Sequence, residues 1–144
     1  MTADAKATIH DWTAPGAYPV APGVHRVPLP LPTDRLRAVN VYVVEDDGAL
    51  VLIDSGWALE QARTALTSAL ATLGAGLGDV RSFLVTHVHR DHYTLGVQLR
   101  REFGSVVSLG LGEQQAIAAL SGGTASPFAP VSYTHLTLPT TERV

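Results

Sequence analysis

The sequence predicts a layered, mixed α/β domain (α/β, α+β layered). Three observations carry that expectation. β-prone apolar runs crowd the first third of the chain, and helical and strand patterns alternate beyond residue 59. The length of 144 residues, 46% of them hydrophobic, is enough for one ordinary core.

Taken in order, residues 1–22 read as a loose lead-in, with Pro15, Pro19 and Pro22 interrupting any regular element. Val24 to Leu31 suits an edge strand, because Pro28 and Pro30 remove ladder donors. Val39 to Glu45 and Ala49 to Ile53 are apolar runs joined through Asp46-Asp47-Gly48, a hairpin signal. Leu59, Ala62, Leu66, Leu70 and Leu73 then share one helical face, closed by Gly74. A loop with Gly74, Gly76 and Gly78 leads into Val80 to Val85, short, apolar and expected to be a strand buried on both faces. Leu95, Leu99 and Phe103 recur at helical spacing before Gly104, Ser105 to Leu109 reads as a strand, and Glu113 to Leu120 as a short helix.

Between that strand and helix lies Thr86-His87-Val88-His89-Arg90-Asp91-His92, four potential metal ligands within six positions. Imidazole and carboxylate suit zinc, iron or manganese. In an extended segment alternate side chains face the same way, so His87, His89 and Asp91 converge; a helix starting at Asp91 brings His92 beside it. This arrangement serves two ions, His87 and His89 on one, Asp91 and His92 on the other. A solvated His-rich loop is the plain alternative, and it gives no reason for that spacing. The ligands fall at the carboxyl end of a strand, where α/β folds usually build sites.

Thr86 to His92 resembles the T-H-x-H-x-D-H signature of the metallo-β-lactamase-fold hydrolases. Val51-Leu52-Ile53-Asp54-Ser55-Gly56 resembles the family's strand ending in Asp-Thr/Ser-Gly, and Asn40 to Val44 its early strand. The resemblance spans residues 23–121. It implies an αββα sandwich, of which this chain carries the first αβ half and the start of the second, and a site of one or two metals, usually zinc. It also implies His87, His89, Asp91 and His92 as ligands and Asp54 as a carboxylate that orients a ligating imidazole. One departure is Asp91-His92-Tyr93-Thr94-Leu95-Gly96, where the family often continues D-H-x-G-G.

The expected chemistry is hydrolysis by metal-activated water, with Asp91 as general base. The bond is an ester, thioester, lactone, amide or phosphodiester in a small-molecule substrate. Net charge −3 gives no pull toward nucleic acid or anionic membrane. Absence of cysteine excludes disulfides and thiolate zinc sites and fits a reducing, cytoplasmic setting. No apolar h-region at Met1 to Trp12 suggests a signal peptide, and no run reaches membrane-spanning length.

Val131 to Val144 breaks with the body: it lacks Ala and Gly and crowds Thr134, Thr137, Thr140 and Thr141. It resembles a translated library-adaptor tail, implying a truncated frame after a domain of residues 23–130. His135 is then not the family's third histidine. The first alternative function is accordingly a metal-binding fragment without turnover. A more distant one is a homodimeric aspartic-protease-like protein through Asp54-Ser55-Gly56. His10 and His25 read as solvated or satisfied by backbone. Trp57, Tyr93 and Thr94 lie close enough in sequence to the site to be weighed as substrate contacts.

Overall fold

The computed structural model describes residues 10–121. The tail from Val131 to Val144, with His135, lies outside them. Six strands form one sheet in sequential order: β1 (Tyr18–Ala21), β2 (Val24–Pro30), β3 (Ala38–Asp46), β4 (Ala49–Ile53), β5 (Val80–Val85) and β6 (Val106–Leu109). The first four run antiparallel and β4, β5 and β6 run parallel. Three helices complete the fold: α1 (Glu60–Thr72), α2 (Arg90–Phe103) and α3 (Gln114–Ser121). The mixed α/β expectation holds, as one sheet with its helices: a single αβ half of a sandwich.

The β3–β4 hairpin turns through Asp47 (φ 48°) and Gly48 (φ 77°), two consecutive left-handed residues, as a type I′ turn requires. The crossovers β4–α1–β5 and β5–α2–β6 both step in one direction, so a common handedness puts α1 and α2 on one face. Against them the sheet presents a row of paired residues, Val43, Leu52, Phe83 and Val107, all buried. Ala62, Leu66, Ala69 and Leu70 of α1 and Leu95 and Leu99 of α2 close this core. Full burial of each large apolar side chain is worth about 1.5–3 kcal/mol, so this face dominates the stability of the unit.

Four expectations need correction. The lead-in is not without structure. β1 forms within it, and Arg26 ties it down by donating to the Trp12 carbonyl (2.9 Å) and lying over the Tyr18 ring. β2 is consequently not the edge strand along its whole length. β1 pairs only with Val24 to Arg26, leaving Pro28 and Pro30 beyond its reach. Glu45 N–H donates to the Gly23 carbonyl, so by two-residue alternation Pro28 and Pro30 turn their missing donors toward that uncovered side. Third, β5 is not buried on both faces: Arg81 and Leu84 are exposed, as is Val106 on β6. The helices cover one face; the other is overlain at its β1–β2 end by the lead-in that Arg26 holds and is exposed at Arg81, Leu84 and Val106. His25 also differs from expectation, since its Nδ1 is buried without a hydrogen-bond partner. Among the described residues no helix is long and apolar enough to cross a membrane.

Candidate metal centre

The parallel strands β4 and β5 end side by side, and the two loops that follow them build the site. Asp54 N–H donates to the Leu84 carbonyl (2.9 Å), so the first loop leaves the sheet in register with β5. Asp54 then takes φ 61°, unusual for a residue with a side chain, and Gly56 takes φ 90°. That φ strains any residue with a side chain, and a Cβ on Gly56 would also lie 2.6 Å from Leu29 Cδ1 and force the leucine to shift, so glycine suits the position. This turn drives the Asp54 carboxylate under the second loop.

That carboxylate is almost fully buried and fully used. Oδ1 accepts from Thr86 N–H (2.7 Å), the Thr86 hydroxyl lies 3.0 and 2.9 Å from the two oxygens, and Oδ2 accepts from His92 Nδ1 (2.8 Å). A carboxylate already engaged in this way, on an α/β frame, is unsuited to sharing a proton with a second aspartate. The aspartic-protease alternative therefore fails.

The motif loop is more turned than expected. Rather than an extended run to Asp91, His89 N–H donates back to the His87 carbonyl (3.1 Å), and α2 starts at Arg90 with His89 as its N-cap. Asp91 thus lies in the first helical turn, where the helix dipole favours a carboxylate. All four expected ligands nevertheless converge. His87 Nε2 lies 3.0 Å from His89 Nδ1, His92 Nε2 lies 3.3 Å from Asp91 Oδ2, and the His87 and His92 rings are 4.1 Å apart.

Two ring nitrogens have their roles set by their partners. Because a carboxylate only accepts, His92 Nδ1 donates to Asp54, which leaves Nε2 as the nitrogen facing Asp91 Oδ2. The Thr86 hydroxyl donates to Asp54, so its oxygen accepts from His87 Nδ1 (3.0 Å), which leaves Nε2 as the nitrogen facing His89 Nδ1. Asp54 therefore orients His92 directly and His87 through Thr86. At 3.3 Å, His92 Nε2 and Asp91 Oδ2 are a pair that a proton or a metal cation can bridge. The donor set fits zinc in kind. It falls short in number, because among the described residues no group of three or more His, Asp or Glu side chains is arranged to hold an ion.

The two loops are fastened together through residues that the sequence did not single out for this task. Ser55 N–H donates to the His92 carbonyl (2.8 Å), and Ser55 Oγ accepts from Gly96 N–H (2.8 Å). Leu95 N–H donates to the Gly56 carbonyl (3.1 Å). The chain departs from the family pattern at Thr94 and Leu95, and at the next residue, Gly96, a Cβ would meet Ser55 at 3.0 Å. Thr94 is buried, accepting from Ala58 N–H (2.9 Å) and donating to the Arg90 carbonyl (2.6 Å). These two bonds make it a clasp between the loop after β4 and the start of α2. Tyr93 is buried too, and burial pushes its phenol above the ordinary tyrosine range, so it stays neutral at neutral pH.

Comparison with known proteins gives the family and the fold. The profile of the metallo-beta-lactamase superfamily matches residues 34–130. The Bacillus subtilis (strain 168) protein named probable metallo-hydrolase YqjP is 40% identical over 67 residues, 46% of this chain and 20% of that protein. A metallo-beta-lactamase family protein from Thermus thermophilus superposes with a TM-score of 0.67 at 32% identity, covering 81% of this chain and 38% of the other. A beta-lactamase domain protein from Burkholderia ambifaria gives 0.64 at 28% identity, covering 80% and 38%. The chain thus spans one fifth of the curated relative and under two fifths of these solved structures.

Proposed function

Because this chain belongs to the metallo-beta-lactamase superfamily, we propose that it carries the His and Asp ligands of a dinuclear zinc hydrolase site. The observation that carries this reading is the sorting of four donors into two facing pairs at the ends of β4 and β5, with Asp54 behind them. His87 and His89 would hold one ion, and His92 and Asp91 would hold the other. Zinc matches the nitrogen and oxygen donors, and iron or manganese is compatible. When bound, such a metal supplies Lewis acidity and makes water a nucleophile near neutral pH.

The chain's own groups do the rest. Asp54 keeps the proton on His92 Nδ1, and the Thr86 hydroxyl keeps one on His87 Nδ1, so both Nε2 atoms face the site. The second oxygen of the Asp91 carboxylate, the one not shared with His92 Nε2, would accept the proton that the attacking water gives up. The substrate is a small molecule with an ester, thioester, lactone, amide or phosphodiester bond. Net charge −3 argues against a nucleic-acid substrate, and the cysteine-free composition favours the cytoplasm.

A second reading is metal binding without turnover. Two donors per pair, against the three protein ligands typical of catalytic zinc, favour it. Asp91→Ala in the zinc-loaded protein tests the first reading: turnover of a panel of these ester and amide substrates should vanish while circular dichroism is unchanged. Near-wild-type hydrolysis by that variant overturns Asp91 as the base. Zinc binding with no hydrolysis by the wild type supports the second reading.

A further inference from the structure

Val88 separates His87 from His89, and its backbone is gripped from the far side of the loop. Its N–H donates to Oε2 of Glu113 at 3.3 Å, while Thr86 N–H and His92 N–H are held by Asp54 and by the His89 carbonyl. Glu113 closes a 3-10 turn (Leu111–Glu113) just after β6, where its own N–H donates to the Gly110 carbonyl (3.0 Å). The helix that follows is anchored in the core by Ile117. The carboxylate is therefore presented to the Val88 amide from a 3-10 turn whose backbone is itself hydrogen-bonded. Val88 is itself buried, so its amide has little recourse to water if that acceptor is lost.

We propose that Glu113 is a positioning residue: by clamping the Val88 amide it fixes the separation and aim of His87 Nε2 and His89 Nδ1. The Asp54 side holds the loop at its two ends, through Thr86 and His92, and Glu113 holds its middle. The inference rests on the reading of His87 and His89 as ligands of one ion.

The test is zinc affinity of the full chain by competition with a chromophoric chelator, alongside exchange of the Val88 amide proton by NMR. Glu113→Ala should weaken zinc binding about tenfold or more and accelerate Val88 exchange. Glu113→Gln, which keeps an acceptor oxygen, should fall between it and the wild type. Val27→Ala, which opens the core under β2 and leaves Glu113 and its helix in place, should lower Tm while holding zinc affinity close to wild type. Unchanged affinity in Glu113→Ala overturns the inference alone, as does an equal loss in Val27→Ala. A wild type that binds no zinc overturns the ligand assignment and this inference with it.

Discussion

Asp54 adopts a left-handed backbone that costs a non-glycine residue on the order of 1–3 kcal/mol. The cost is offset by what the conformation delivers: a buried carboxylate held by Thr86 and His92. Asn tolerates the same backbone but carries no charge, so Asp54→Asn isolates the carboxylate. We expect it to fold and to lose about 10–100-fold in zinc affinity, read by chelator competition. Retained affinity would show that Asp54 serves only the turn. The four expected ligands were named from side-chain type and spacing, and Asp54 from the family resemblance of Val51 to Gly56; the structure puts the Asp54 carboxylate on His92 Nδ1. Thr86, Ser55 and Glu113 were not legible as partners. Their contacts run through backbone groups or across 25 to 41 residues, which no local pattern encodes.

Among the elements, the hairpin and the three helices were readable because turn chemistry and helical period are local. Asp47-Gly48 demands its turn, and Ala62, Leu66 and Leu70 share one buried face. Proline also marked the sheet edge correctly in kind, but one strand too far inward. Pro19 sits in β1, an edge where its missing donor is tolerated. The helices carry a testable coupling of their own. Arg63 of α1 donates two hydrogen bonds of 2.7 Å to Glu102 of α2, and these hold the Glu102 carboxyl below the ordinary glutamate range. A lowered folded value contributes stability above the unfolded value and loses it as pH falls through the folded one. Glu102→Gln should therefore be slightly less stable than wild type at neutral pH in urea unfolding, with the gap closing on acidification. A gap independent of pH would contradict this assignment.

At the scale of the molecule, one sheet has one face packed by helices and the other carrying half-buried and exposed apolar side chains, Leu84 and Val106 among them. Burial on both faces of β5 was a reasonable expectation from its composition. It fails because apolar content reports the face a strand can cover and does not say whether a covering layer is present. The same asymmetry marks the site, where each donor pair offers two ligands and the chain spans 38% of its solved neighbours. The central claim, that His87, His89, Asp91 and His92 bind metal as two pairs, is tested most directly by zinc per chain after equilibrium dialysis. The comparison is between wild type, His87→Ala/His89→Ala, Asp91→Ala/His92→Ala and the fourfold variant. The account predicts stepwise loss, each double variant removing one class of bound zinc and the fourfold variant removing both. Wild-type zinc content in the fourfold variant would contradict it.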